Sequence, residues 1–118
     1  MVEQLRKTIA IGADNLINSA YTTDACHVTV ASGQGKLARG TALAVNADGK
    51  AVILGTASAT ANWILAKDVD ATSSDVVTVA YREGHFNTDQ LIVKGGYTIT
   101  EADKAEYRQK NIILSDSL

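Results

Sequence analysis

The sequence has little cysteine, proline or large aromatic content. Its 118 residues include no proline, one cysteine, one tryptophan and one phenylalanine. The single cysteine, Cys26, excludes an internal disulfide framework and fits synthesis in a reducing cytoplasm. Because Trp63 and Phe86 are the only members of their kinds, we expect a light core that draws part of its stability from contacts between subunits.

The sequence also lacks basic clusters and long apolar runs. The formal net charge is -2 and the pI is about 5.6, so nothing indicates a nucleic-acid or anionic-lipid partner. No run approaches the roughly 20 apolar residues that cross a bilayer. The stretch TIAIGADNLI is interrupted by Asp14 and lacks a signal-peptide cleavage site. A hydrophobic content of 46% at this length therefore indicates one soluble globular domain.

What the sequence does contain is a series of short runs separated by turn residues. The runs that predict strands are TALAV (41–45), KAVIL (50–54), WILA (63–66) and DVVTVAY (75–81). Asn46-Ala47-Asp48-Gly49 predicts a hairpin turn, and Trp63 with Ile64 is expected to begin a buried strand. Thr100 starts a capped helix pattern, and a last strand follows at 112–114. The fold class is therefore mainly β (β-rich α+β), with short strands and hairpins and one short C-terminal helix.

The first part of the chain, residues 1–35, predicts a flexible N-terminal arm ahead of a β-rich domain at 36–118. Its apolar residues follow no clear period, so it buries too little surface to offset about 1–2 kcal/mol of backbone entropy per residue. Within it, HVTVAS (27–32) is β-branched and uncharged, which suits a strand added to a partner's sheet edge. An edge strand of the domain itself is an equally good interpretation. The candidate contact residues are Val28, Thr29, Val30 and Ala31.

The segment DVDATSSD (68–75) concentrates carboxylates and hydroxyls and is a candidate metal loop. A calcium loop of the helix–loop–helix type needs glycine at its sixth position and a bidentate glutamate at its twelfth. Those positions hold Ser73 and Val79. We therefore predict a turn between strands and no metal site.

Other chemical motifs are weak. The stretch GQGKLA (33–38) matches a relaxed dinucleotide pattern, but the helix that must follow is replaced by a glycine-broken strand. Cys26 and His27 are neighbours that point to opposite faces of an extended strand, and His85 is the only other histidine. We predict no catalytic residue, no cofactor and no enzymatic activity.

An alternative function is a carrier domain modified at Lys50. GKLARGTALAVNADGKAV is similar to the lipoyl or biotinyl pattern, in which an acidic turn leads to a modified lysine at a hairpin tip. Gly49 separates Asp48 from Lys50, and Asn46 stands where an acidic residue is usual. An ordinary hairpin lysine is the stronger interpretation.

From Lys36 onward, the order of several motifs resembles the lambda-type head decoration proteins of tailed bacteriophages. The positions that carry the resemblance are Leu37 to Gly40, Ile64 to Ala71 and Gly84 to Phe86. They lie within GKLARGTAL, WILAKDVDATSSD and VTVAYREGHFN, which a helix and NIIL follow. The absence of proline departs from relatives that often carry it in the arm and loops.

The resemblance implies a non-enzymatic cement protein of the virion. Such a protein caps three-fold positions on the outer surface of an expanded icosahedral head as a homotrimer, and it stabilises the shell against DNA pressure. The implied partners are the major capsid protein and further copies of the chain, with synthesis in the bacterial host cytoplasm. Residues 28–31 then become a candidate capsid-binding arm.

Overall fold

The structure is a computed structural model that describes residues 16–18 and 23–115. These residues contain one α-helix, α1 (Glu101–Gln109), and a single 3-10 turn at Thr88–Gln90. The strands are β1 (Asp24–Val30), β2 (Gly35–Leu37), β3 (Ala42–Val45), β4 (Ala51–Ile53), β5 (Thr60–Leu65), β6 (Val69–Ala71), β7 (Val76–Asn87) and β8 (Ile112–Ser115). The predicted mainly β fold with one short C-terminal helix is confirmed.

Five strands close into a ring. Their order is β1-β4-β3-β5-β7, and β7 pairs back with β1 along its first eight residues. The β1–β4 contact is parallel, with Val30 opposite Ala51, while the other pairs in the ring are antiparallel. Strand β8 runs parallel to the end of β7, and β2 and β6 form a separate two-stranded sheet. Ring closure satisfies most of the strand edges that an open sheet leaves exposed, although β5 pairs with β7 only at Ile64 and Leu65.

The predicted hairpin is confirmed at β3–β4. The side-chain Oδ1 of Asn46 accepts hydrogen bonds from the backbone N–H groups of Asp48 (2.9 Å) and Lys50 (3.0 Å). Gly49 adopts a φ of 78°, a left-handed conformation that costs glycine little. The turn therefore forms from local chemistry that is visible in the sequence.

Helix α1 begins and ends as its sequence predicts. Thr100 accepts from the backbone N–H of Asp103 and the Asp103 side chain accepts from the backbone N–H of Thr100, which completes a capping box. Beyond Gln109, Asn111 takes a φ of 65° and turns the chain into β8. The last strand, predicted at 112–114, is confirmed.

The core is light in aromatic residues, as expected. Two buried clusters fill the molecule, and Phe86 and Tyr107 are the fully buried aromatic residues among those described. The first cluster lies beneath α1 and includes Ile64. The second contains Val28 and Val30 of β1. Alanine, leucine, isoleucine and valine supply the rest.

The predicted arm boundary at residue 35 falls inside this fold. Strand β1 pairs with β7 from Asp24 to Val30, and Leu16 is 3% exposed in the first core cluster. The backbone carbonyl of Leu16 accepts from the N–H of Asn87 at 2.9 Å, which extends the strand pairing along β7. The partner of β1 lies more than 40 residues away, so local periodicity does not reveal the pairing. The rest of the predicted arm, residues 1–15 and 19–22, lies outside the described residues.

The prediction for Trp63 needs correction. Strand β5 begins at Thr60 rather than at Trp63, and Ile64 is fully buried while Trp63 is half-buried. Asn62 and Trp63 together lie opposite Leu43, which defines a β-bulge. Trp63 has a φ of 65°, so the bulge turns its side chain away from full burial.

Candidate functional site

Between its two ends, the outward side of the β1–β7 pair presents side chains other than Lys, Arg, Asp and Glu on a hydrogen-bonded sheet. In the register of the two strands, His27 lies opposite Val79 and Thr29 lies opposite Val77. Val77 is 65% exposed, and His27 is also exposed. We call these four residues the β1–β7 face. They share one side of the sheet because side chains alternate between its two sides.

Ion pairs stand at both ends of this face. At one end, Arg82 Nη2 lies 2.6 Å from Asp24 Oδ2, and hydrogen bonding to Arg82 lowers the pKa of the Asp24 carboxyl. At the other end, Lys50 Nζ lies 2.7 Å from Asp75 Oδ2, and this contact lowers the pKa of Asp75. The flanking charges therefore satisfy one another, and the face between them carries no ion pair.

Two surface grooves run beside strand β6. The groove next to the β1–β7 face has a volume of about 400 Å³ and is lined on its far side by Lys67, Asp68, Val69 and Asp70. A second groove of about 370 Å³ is lined by the same strand and by Lys36, Leu37 and Ala38. Both grooves are lined by charged and apolar side chains together.

The carboxylates of DVDATSSD bond mainly to nearby backbone. Asp68 Oδ1 accepts from the N–H of Arg39 at 2.7 Å, and Asp75 Oδ1 accepts from the N–H of Ser32 at 2.8 Å. Asp70 Oδ1 accepts from both the N–H and the hydroxyl of Thr72, and these bonds lower the pKa of its carboxyl. The prediction of a turn needs correction for the middle of the segment, because Val69–Ala71 forms strand β6 paired with β2 and, within the segment, the chain bends only after it, at 72–74. Within residues 16–18 and 23–115, no group of three or more potential ligands is placed to hold a metal ion.

The residues considered for catalysis are not brought together as a nucleophile and a base. Cys26 lies opposite Ala80 and His27 lies opposite Val79, so the two side chains point to opposite sides of β1. Partial burial raises the pKa of the Cys26 thiol, which disfavours the reactive thiolate. His85 lies farther along β7, beside β8.

The candidate contact residues 28–31 divide between the core and the surface. Val28 is 6% exposed and Val30 is fully buried, so both hold β1 in the ring. Thr29 is half-buried and points to the β1–β7 face. Ala31 follows the strand and donates its N–H to the carbonyl of Ala51 at 3.0 Å. Their role in capsid binding stays a prediction, and in this fold Thr29 is the member best placed for it.

Sequence reasoning missed the other members of the face. Val77 and Val79 lie in DVVTVAY, whose alternation was visible, but alternation alone does not say which side is buried. The partner strand settles that question, because Thr78 and Ala80 face the core with Val28.

Comparison with known proteins decides the family. A sequence model described as bacteriophage lambda head decoration protein D matches residues 12–112, most of the chain. The chain belongs to this family. Comparison with curated proteins gives no match.

The head decoration match starts earlier than the resemblance at Lys36. It takes in residues 12–35, and so includes Leu16 and the whole of β1. The family region therefore begins at residue 12, and it includes Asp24–Val30, which lie in the ring.

Membership of the head decoration family supports a capsid-decorating role, a location on the virion and a structural rather than enzymatic function. It gives no support to the carrier alternative at Lys50, whose ammonium is paired with Asp75. Within the described residues, no helix has the length and apolar content to cross a membrane.

Proposed function

We propose that this chain binds the outer surface of an expanded phage head as a homotrimer and stabilises the shell against the pressure of packaged DNA. Its partners would be the major capsid protein and its own copies, and it would be made in the bacterial host cytoplasm. Family membership supports the association with a phage head. The trimer and the stabilisation are what the family resemblance implies.

The observation that favours this function most is the β1–β7 face. A sheet surface without Lys, Arg, Asp or Glu suits the centre of an interface, since interface centres are depleted of charged residues, and Lys67, Asp68 and Asp70 lie across the groove beside it. Val77 projects from β7 where that strand is hydrogen-bonded to β1, so binding orders little backbone. A trimer would present three such faces, and simultaneous contacts raise avidity well above that of a single one.

We propose that the capsid contact includes Thr29 on this face, with Val28 and Val30 supporting it from the core. We also propose that residues 1–15 take part as the remaining arm. Because the face carries no ion pair, binding should change little with salt concentration.

Heads that lack decoration protein test this function. Expanded and unexpanded heads are mixed with the purified chain and sedimented, while sedimentation velocity measures the oligomeric state of the free chain. We expect binding to expanded heads, a trimer on the head, and retention of packaged DNA to a higher temperature. Failure to bind expanded heads would refute the proposal.

The carrier alternative has its own measurement. Intact mass after expression in a lipoylating and biotinylating host should equal the mass of the unmodified chain. A lipoyl or biotinyl increment at Lys50 would revive the alternative.

A further inference from the structure

The ring of strands has a gap where β5 and β7 diverge. Among the described residues, β5 pairs with β7 only through Ile64 and Leu65. The preceding part of β5, at residues 60–62, has β3 on one side and no strand from the described part of the chain on the other. An uncovered strand edge is a template for pairing with another chain.

Side chains of α1 occupy this gap. The N–H of Ala61 donates to Glu106 Oε1 at 3.1 Å, and the carbonyl of Ala61 accepts from Lys110 Nζ at 3.0 Å. Glu106 and Lys110 are four residues apart, which places them on one side of the helix end. Because Ala61 is fully buried, its polar groups depend on these partners. Together the two side chains supply one acceptor and one donor, as a neighbouring strand would.

We propose that α1 covers a latent strand edge of β5 and keeps a second copy of this chain from pairing there. The excluded partner is a second copy because β7 carries an uncharged run, VVTV (76–79), whose pairing among the described strands is with β1 on one side, since β5 joins β7 only from Ala80 onward. Helix α1 lies well after β5 in the sequence, so the edge stays uncovered during folding until the C-terminal part docks. This role is independent of head binding.

A separate contact holds α1 in place. The Tyr107 hydroxyl donates to the carbonyl of Leu43 at 2.7 Å, and Tyr107 is fully buried. Loss of the Glu106 and Lys110 side chains therefore leaves the main anchor of the helix intact. The role of the Glu106 and Lys110 side chains can therefore be tested while Tyr107 still holds the helix in place.

The test compares two charge-matched double variants of the full chain. Glu106→Ala with Lys110→Ala removes the cover, whereas Glu101→Ala with Lys104→Ala removes an ion pair of 3.4 Å elsewhere on the same helix. In the first variant we expect exchange of the Ala61 amide to quicken by about tenfold to a hundredfold. We also expect concentration-dependent species larger than the wild-type distribution in sedimentation velocity, with an infrared band of intermolecular strands. The control should match the wild type.

A third variant tests whether Glu106 acts by covering the β5 edge or only by stabilising the fold. Glu106→Gln keeps an oxygen that accepts from Ala61, so it should retain the wild-type size distribution. Equal association of the control variant, or faster exchange at Ala61 without any association, would overturn the proposal. If the double variant fails to fold, Glu106→Ala alone is judged by the same outcomes.

Discussion

At the scale of single residues, Trp63 combines a large aromatic side chain with a backbone that suits glycine. Its φ of 65° lies in the left-handed region, which costs an L-residue roughly 1–2 kcal/mol. The indole packs against the second core cluster while remaining partly exposed. The packing of the indole therefore has to offset the free-energy cost of the left-handed backbone. The β-bulge that Trp63 forms with Asn62, opposite Leu43, holds the residue in this conformation.

At most positions an alanine variant is more stable than a glycine variant, and at Trp63 we expect the reverse. Trp63→Gly should be more stable than Trp63→Ala by about 1 kcal/mol, because only the glycine adopts this φ without strain. Val79 serves as a control because its backbone is ordinary and extended. There, Val79→Gly should be less stable than Val79→Ala. Urea unfolding followed by circular dichroism measures all four variants, and a Trp63→Ala variant more stable than Trp63→Gly would contradict the account.

Tyr107 should make stability fall at alkaline pH. Burial raises its pKa well above the ordinary value of 10.0, so the folded chain holds this proton more tightly than the unfolded chain does. The stabilisation is fully present below the unfolded pKa and is lost as the pH rises above it. The unfolding free energy should decline above about pH 10, and Tyr107→Phe should weaken that decline. An unchanged pH dependence in Tyr107→Phe would show that other groups cause it.

At the scale of elements, the parts that sequence predicts well are those built from local contacts. The hairpin at Asn46–Gly49 and the start of α1 at Thr100 depend on side chains that bond within four residues. Strand β1 depends on β7, so the sequence leaves open whether HVTVAS belongs to an arm or to a strand of the domain, and it does not predict that this strand closes a ring. The β1–β7 face was missed for the same reason, since its two halves are distant in sequence.

The capping box of α1 should contribute measurably to stability. Thr100→Ala removes the acceptor for the N–H of Asp103 and should cost about 1 kcal/mol. Thr100→Ser keeps the hydroxyl and should stay close to the wild type. Thermal unfolding of both variants checks this, and equal losses in the two would exclude the cap as the cause.

At the scale of the whole molecule, β1 closes the ring of strands between β4 and β7. Its inward valines belong to the second core cluster, and its outward residues form half of the β1–β7 face. Stability and the proposed contact surface therefore depend on the same strand. Removal of the predicted arm through Ala31 would therefore also remove Asp24–Val30, which form a strand of the ring.

Two truncations test whether the residues before Ser32 act as a removable arm or include a strand that the fold needs. A chain lacking residues 1–15 keeps Leu16 and β1, and it should unfold cooperatively. A chain lacking residues 1–31 loses β1 from the ring and should show no cooperative unfolding transition in urea. A stable, cooperatively folded product of the longer deletion would show that β1 is dispensable.

The most direct test is co-sedimentation with expanded heads of charge variants at the two large hydrophobic residues that are exposed in the described part of the chain. Val77 and Ile92 are 65% and 43% exposed, and only Val77 lies on the β1–β7 face. With both variants verified as folded, Val77→Lys should lose binding to expanded heads, whereas Ile92→Lys should bind like the wild type. Equal binding by Val77→Lys and the wild type would contradict the assignment of the contact to this face. Absence of binding by the wild type itself would contradict the decorating function.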